Sequence, residues 1–165
     1  MRLSFAAATP DDASAVAALR AAVAYDLTRR HGHGHWSALG SEAGVQRDVR
    51  TACVLLARSG GQAVGTVRLA AKKPWAVDPA FFTARARVLY LTDMAVEPAL
   101  QGQGIGRRLL AYARDVAVAW PAEAIRLDAY DGPAGAGGFY VRCGFRQVGR
   151  ATYRDTPLLY YELVL

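Results

Sequence analysis

The segment from Val88 to Leu110 most constrains the fold of this chain, because it joins a strand to a helix through a glycine-rich turn. Val88–Val96 is apolar and rich in β-forming residues, which predicts a buried strand. Glycines then recur at alternate positions up to Gly106, and the clearest helical pattern of the chain covers residues 104–119. The chain must therefore start a helix directly after a central strand ends.

This junction is suited to bind an anion. Glycines have no Cβ, so backbone N–H groups can approach a ligand closely, and a helix N-terminus adds unpaired donors and partial positive charge. Arg107 and Arg108 reinforce that charge, so we predict a pyrophosphate site. A P-loop would need Gly-Lys-Ser/Thr where Gly106-Arg107-Arg108 stands, and a dinucleotide fingerprint would need glycine at Arg107. A glycine-rich turn without a ligand remains the alternative.

The rest of the chain alternates strand and helix patterns. Thr9-Pro10-Asp11-Asp12 predicts a helix start, with Thr9 as N-cap. Gly60 and Gly61 separate two β-prone runs and predict a hairpin. Strands are predicted at 3–5, 53–57, 63–70, 125–130, 145–153 and 158–165, and further helices at 10–28, 41–51 and 133–142. Together these patterns predict an α+β fold around one central sheet.

Length, charge and cysteine content narrow the class of protein. A chain of 165 residues fits a single domain over 1–165. The net charge of +6 suits an anionic partner, but the basic residues are scattered, so a phosphate-rich cofactor is expected rather than nucleic acid. Two cysteines are too few for a disulfide framework, and neither a signal peptide nor a membrane-spanning apolar run is evident. We therefore expect a soluble cytoplasmic protein with reduced thiols and no membrane partner.

The glycine-rich turn is part of a longer motif. Gln101, Gly104 and Gly106 fit the pattern Gln/Arg-x-x-Gly-x-Gly/Ala, with proline two positions after the strand end at Val96. A second element follows at residues 139–145, which read Phe-Tyr-Val-Arg-Cys-Gly-Phe. In type, order and separation, these two elements resemble those of the GNAT superfamily of N-acetyltransferases.

The resemblance is strong over residues 88–145 and weaker before them. It implies the GNAT fold, with a mixed central sheet of six to seven strands flanked by about four helices. It also implies acetyl-CoA as cosubstrate and no metal. In that family the pyrophosphate lies on the loop amides, and the pantetheine arm pairs with the motif strand where that strand splays at a bulge. The residues that the resemblance assigns to cofactor binding are Met94, Ala95, Val96, Gln101, Gly102, Gln103, Gly104, Ile105, Gly106 and Arg107.

Two side chains are candidates for the chemistry that the resemblance implies. Direct attack of a neutral amine on a thioester needs a proton acceptor for the ammonium and an acid for the leaving thiolate. Tyr140 matches the family's usual general acid, and a core tyrosine is the alternative. Asp93 lies where several family members carry an acid and is the candidate proton acceptor. A hydrogen-bonded carboxylate near the strand end is its alternative.

The chain departs from the family pattern at two places. The family's frequent Asn, seven residues before the tyrosine, falls on Pro133. Asp131 is therefore predicted either to contact the cofactor or, preferably, to cap the following helix. Polyamine acetyltransferases often have two adjacent acids in the motif strand, whereas this strand supplies only Asp93. A polycationic acceptor is accordingly less favoured.

The acceptor is expected to be a primary amine of a small molecule or a peptide, and its identity stays open. Two other functions are weighed: an acyl-CoA-binding sensor without catalysis, and an RNA-directed acetyltransferase suggested by net charge alone. A monomer or a homodimer is expected.

Two further segments leave alternatives open. His31, His33 and His35 alternate with glycines, which suits a plain surface loop better than a metal site. Between the two functional alternatives, a substrate-side role for His35 or Trp36 is favoured over metal binding, and a plain surface loop is favoured over both. The aromatics of residues 72–87, namely Trp75, Phe81 and Phe82, either line an acceptor pocket or pin a long loop to the core.

Overall fold

Seven strands and four α-helices follow one another along the chain. In this computed structural model, which describes residues 1–165, their bounds are β1 Leu3–Ala7, α1 Ala13–His31, α2 Glu42–Thr51, β2 Cys53–Ser59, β3 Gln62–Ala70, β4 Val88–Val96, α3 Ile105–Ala119, β5 Ala124–Tyr130, α4 Gly137–Arg142, β6 Arg146–Tyr153 and β7 Thr156–Val164. None of the helices combines the length and the apolar character that crossing a membrane requires.

Hydrogen bonding joins the strands in the order β1-β2-β3-β4-β5-β7-β6. The strands β4 and β5 pair in parallel, whereas β1–β2, β2–β3, β5–β7 and β6–β7 are antiparallel pairs. The predicted α+β fold, with a mixed sheet of six to seven strands and about four helices, is therefore confirmed.

The chain divides into two compact units. The first unit comprises residues 1–70 and 92–113, and the second unit comprises residues 71–91 and 114–165. Both β4 and α3 contribute residues to each unit. The expectation of a single domain stays a prediction.

The first unit begins with the helix start that the sequence predicts. The backbone amide and the hydroxyl of Thr9 donate to the Asp12 carboxylate at 2.9 and 3.3 Å. Pro10 opens a 3-10 turn that leads into α1. The Arg58 guanidinium on β2 donates to the same carboxylate. The Thr9 amide first, and then Arg58, lower the pKa of Asp12, against the opposing effect of partial burial. Asp12 thus ties the helix start to the sheet.

The apolar faces of α1, α2 and β2 form a core within the first unit, made of Ala13, Val16, Val45, Val54 and Leu56. The predicted hairpin is confirmed, since Gly60 and Gly61 join β2 to β3 with φ of 56° and 83°. Gly65 on β3 lets α3 approach closely, because a Cβ there would lie 3.3 Å from side-chain atoms of Ile105 and Leu109. The start of α3 is therefore seated directly on β3.

In the second unit, buried side chains anchor the long segment between β3 and β4. Phe82 packs on Tyr160 with ring centroids 5.5 Å apart. Arg126 and Glu162 form an ion pair at 2.9 Å and are almost fully buried. The Thr83 hydroxyl donates to Glu162 at 2.8 Å, and Arg126 also donates to the Thr83 carbonyl. These bonds satisfy a buried charge pair and fix the segment's course.

The predicted helix over 133–142 begins too early. It starts at Gly137, with Ala136 as its N-cap. Residues 132–135 instead form a turn, in which the Gly135 amide donates to the Gly132 carbonyl at 2.9 Å. A Cβ at Gly135 would lie 1.8 Å from the Tyr130 carbonyl oxygen, so this tight approach requires glycine. Asp131 is consequently not the cap of α4, and that alternative is wrong.

Candidate active site

The loop between β4 and α3 contains turns that favour glycine. The Gln101 side-chain amide donates back to the Val96 carbonyl at 3.1 Å, which closes the loop onto the strand end. Gly102 and Gly104 have φ of 79° and 82°, and no heavy atom lies within 4 Å of where their Cβ atoms would stand. Other residues are strained at such angles. The loop therefore presents its backbone to open space.

The helix α3 begins directly behind this loop. Its first turn is closed by the Arg108 amide, which donates to the Gly104 carbonyl at 3.1 Å. The amides that precede Arg108 have no partner inside a helix, and they carry its partial positive charge. Ile105 is buried, whereas Arg107 is exposed. The Arg108 guanidinium lies 5.6 Å over the Phe5 ring. This arrangement can accept an anion at the loop.

Asp93 occupies an irregular position in β4. Its φ of 53° is a left-handed value inside a strand, and its side chain is exposed. The Thr92 hydroxyl donates to its Oδ2 at 3.1 Å. In register, β4 pairs with β5 from Val88 to Tyr90 and no further. Pairing with β5 thus ends before Asp93, where the backbone takes a left-handed conformation.

Tyr140 lies on α4 in the second unit, with 7% of its surface exposed. Its ring packs edge-on against Phe139 and Phe145, with centroids 5.3 and 5.6 Å away. Burial is the main cause that raises the pKa of the Tyr140 phenol, and the neighbouring Asp128 and Cys143 add to it. The phenol therefore keeps its proton at neutral pH and can donate a hydrogen bond.

Asp131 follows β5 in the second unit. Its carboxylate pairs with the Arg150 guanidinium on β6 at 3.0 Å, and its amide donates to the Pro157 carbonyl at 2.9 Å. These contacts hold the turn after β5 against the β6–β7 hairpin. A role of Asp131 in cofactor binding stays a prediction.

Sequence reasoning missed a polar network that reaches Asp93 inside the first unit. Arg68 on β3 donates to the Thr92 hydroxyl at 3.4 Å and pairs with Asp48 at 3.3 Å. The signal was present in the sequence, because Arg68 is the one charged residue of the β-prone run 63–70. A charged residue inside a buried strand requires a partner.

The histidine loop shows no metal-ligand set, since no group of three or more His, Cys, Asp or Glu side chains could hold a metal ion. Trp36 packs edge-on against His35 and His31, with ring centroids 5.2 and 6.5 Å away. Its indole N–H donates to the Gly32 carbonyl at 3.0 Å. His31 and His35 therefore both pack against Trp36. A substrate-side role for His35 or Trp36 stays a prediction.

The three aromatics between β3 and β4 differ in their settings. Phe82 is buried and anchors the segment, whereas Trp75 is 84% exposed. Phe81 packs on Tyr160, with ring centroids 5.3 Å apart. Phe81 and Phe82 also line an open cleft of about 380 Å³ together with Arg146 and its neighbours on β6. Of the two roles predicted for these aromatics, packing of the segment against the core therefore explains Phe82.

Comparison with known proteins gives a family and a fold. Residues 21–145 match the Acetyltransferase (GNAT) family. A ribosomal-protein-alanine N-acetyltransferase from Brucella melitensis has a similar structure, with a TM-score of 0.72 and 22% identity over 98% of this chain and 99% of that one. An acetyltransferase of the GNAT family from Streptococcus pneumoniae gives a TM-score of 0.73 and 19% identity over 99% and 100%.

The protein yncA from Salmonella typhimurium, solved with its cofactor acetyl-CoA, gives a TM-score of 0.71 and 16% identity over 100% of this chain and 95% of that one. Comparison with curated proteins gives no match. At these identities the solved structures show the fold alone, whereas the family match covers most of the chain. The chain therefore belongs to the GNAT family of acetyltransferases, which use acetyl-CoA.

Proposed function

We propose that this protein is an acetyl-CoA-dependent N-acetyltransferase, which acetylates the primary amine of a small molecule or a peptide. The observation that carries the proposal is the exposed loop at the start of α3. Its glycines at 102 and 104 hold positive φ angles with open space beyond them. A site that is pre-formed in this way suits a pyrophosphate. Bound acetyl-CoA supplies the acetyl thioester that the amine attacks.

Backbone groups of the loop and of β4 hold the cosubstrate in this proposal. The amides of Gly102, Gln103, Gly104, Ile105, Gly106 and Arg107 receive the pyrophosphate, and exposed Arg107 adds charge. Gln101 holds the loop in place, because its backbone amide donates to the Pro98 carbonyl and its side chain to the Val96 carbonyl. The backbone of Met94, Ala95 and Val96 pairs with the pantetheine arm. Pairing of β4 with β5 ends at Tyr90, before these residues, which supports the assignment. Asp131 is retained as a further cofactor contact.

We assign Asp93 as the acceptor of the proton that the amine must lose. An amine at neutral pH is mostly an ammonium ion, which cannot attack a thioester until it is deprotonated. The Asp93 carboxylate is exposed, so an acceptor amine can reach it directly or through a water molecule. The Thr92 hydroxyl bonds one carboxylate oxygen. The other oxygen can take the proton.

We assign Tyr140 as the group that assists departure of the thiolate. The raised pKa of its phenol keeps the hydroxyl protonated, which is the donor form. The same raised pKa makes the phenol a weak acid. Tyr140 therefore contributes a hydrogen bond that strengthens as negative charge develops on sulfur.

Thiol release from acetyl-CoA tests the proposal. The purified protein is mixed with acetyl-CoA and, in separate reactions, a polyamine, an aminoglycoside, single amino acids and short peptides with free N-termini. Free thiol is then measured with a chromogenic disulfide. Cys53 and Cys143 are free thiols themselves, so a reaction without acetyl-CoA gives the background. We expect at least one amine to raise thiol release above hydrolysis without an amine.

Two outcomes would favour an acyl-CoA sensor or an RNA-directed acetyltransferase over the proposed function. Binding of acetyl-CoA without thiol release for any amine of the panel would indicate a sensor. Binding of tRNA that weakens steeply with added salt, together with acetylation of the RNA, would indicate a nucleic-acid substrate.

A further inference from the structure

A chain of polar side chains crosses the first unit from α1 to β4. Arg20 on α1 donates to the Asp48 carboxylate on α2 at 3.0 Å. The other oxygen of that carboxylate lies 3.3 Å from Nε of Arg68 on β3, an ion pair whose geometry falls short of a hydrogen bond. All three side chains are at most one quarter exposed. Solvent and salt screen such pairs less than surface pairs. Arg68 is therefore held by Asp48 of α2, and Asp48 is held in turn by Arg20 of α1.

The hydrogen bonds that lead from Arg68 through Thr92 to Asp93 can run in only one direction from donor to acceptor. A guanidinium group has donors and no acceptor, so Arg68 donates to the Thr92 oxygen, at 3.4 Å. The Thr92 hydroxyl has a single hydrogen, and it points to Asp93 Oδ2, at 3.1 Å. A carboxylate oxygen accepts, so the Thr92 hydroxyl is the donor in this contact.

Asp93 requires such support. Its φ of 53° is unfavourable for a residue with a side chain. Strained backbone persists where surrounding contacts fix it, and such positions cluster at functional sites. Its side chain is exposed and would otherwise move between rotamers. The hydrogen bond from the Thr92 hydroxyl holds one oxygen of this carboxylate.

We propose that Thr92 and Arg68 are positioning residues, which hold the Asp93 carboxylate in the orientation that accepts the amine proton. The inference rests on the proposed role of Asp93. The role of Asp93 then depends on a network of hydrogen bonds and ion pairs that reaches α1 and α2 through Asp48. Thr92 fixes the carboxylate, and Arg68 fixes Thr92 by occupying its acceptor site.

Substitutions of Thr92 test this arrangement with the fastest amine of the thiol-release panel. Thr92→Val keeps the branched shape and removes the hydroxyl, whereas Thr92→Ser keeps the hydroxyl. We expect Thr92→Val to lower kcat about tenfold, which corresponds to about 1.4 kcal/mol, with an unchanged KM for acetyl-CoA. Thr92→Ser should stay within about twofold of the parent, because the bond is retained. Thr152→Val on β6 is the matched control and should leave kcat unchanged.

A double-mutant cycle shows whether Thr92 acts through Asp93. If it does, Thr92→Val in an Asp93→Asn background should cause no further loss. A full additional loss there, or a Thr92→Val variant as active as the parent, would overturn the inference. An Asp93→Asn variant with parental kcat would remove Asp93 from catalysis, and the positioning role with it, while leaving N-acetylation itself established.

A spectroscopic measurement keeps the inference testable if no amine of the panel is acetylated. The side-chain carboxyl ¹³C resonance of Asp93 is identified by its absence in Asp93→Asn. We expect it to move in Thr92→Val and to stay in place in Thr92→Ser and Thr152→Val. An unmoved resonance in Thr92→Val would show that the hydroxyl does not hold this carboxylate.

Discussion

Tyr140 shows how one buried position can provide both packing and chemistry. Its ring contacts Phe139, Phe145 and Tyr161, so packing alone explains an aromatic ring at this position. The hydroxyl is the part that packing does not require. Tyr140→Phe removes that hydroxyl and keeps the ring, so we expect kcat to fall about 10²-fold, the lower end for general acids. Steady-state kinetics with an acetylated amine gives this value.

The matched control is Tyr153→Phe on β6, which should retain parental kcat. Acetyl-CoA affinity by calorimetry and the melting temperature should stay close to those of the parent in both variants. A Tyr140→Phe enzyme within about twofold of parental kcat, far less than general acids contribute, would leave Tyr140 with a packing role only.

The start of α1 gives a pH-dependent prediction at the scale of a single element. Asp12 accepts from the Thr9 amide and from Arg58, and the pKa of its carboxyl is lowered. A carboxyl whose pKa is lower in the folded state stabilises the fold above its unfolded pKa, near 3.9, and this contribution is lost as pH falls through the folded pKa. We expect Asp12→Asn to reduce the free energy of unfolding by about 1 kcal/mol at neutral pH.

Urea unfolding of parent and variant at several pH values measures this difference. It should shrink as pH falls below about 4, because the parent carboxyl then becomes protonated as well. Asp11→Asn is the matched control, since Asp11 is exposed in the same turn and its change should be smaller. Equal losses in the two variants at neutral pH would mean that the helix dipole, rather than the capping bond, is responsible.

The sequence predicted well those helices and strands whose ends are set by residues next to them in the chain. β4 was predicted with its observed bounds, and α2 begins after Ser41, whose hydroxyl accepts from the Gly44 amide. The predicted start of α4 was wrong because residues 132–135 form a tight turn, in which Gly135 approaches the Tyr130 carbonyl, and the helix begins only after it. Asp131 was wrongly predicted as a cap because its partner Arg150 is distant in sequence and lies on β6.

At the scale of the whole molecule, the sequence could predict the part of the candidate site that one contiguous motif forms. The glycine loop depends on spacing within a few residues, and its positive φ angles follow from glycine itself. For the support of Asp93, the sequence indicates that Arg68 needs a partner but not which one, because Arg20, Asp48 and Arg68 belong to three different elements. Only the fold brings these charges together, so the sequence pattern gives Arg68 no partner.

Binding of the cosubstrate should stabilise the whole protein through the loop before α3. A ligand at one hundred times its Kd stabilises the folded state by about 2.7 kcal/mol, which raises Tm by about 5–10 °C for a protein of this size. Gly104→Val places a side chain in the space that the proposal gives to the pyrophosphate, at a φ of 82°. We expect acetyl-CoA to raise the Tm of the parent and to leave that of Gly104→Val almost unchanged.

Gly60→Val separates this loss of binding from backbone strain. Gly60 also has a positive φ, of 56°, with nothing within 4 Å of its Cβ position, but it lies in the β2–β3 turn. Both variants should melt below the parent without ligand, because valine is strained at positive φ. Acetyl-CoA should still raise the Tm of Gly60→Val by the parental amount. If it also raises the Tm of Gly104→Val by that amount, the pyrophosphate does not lie on this loop.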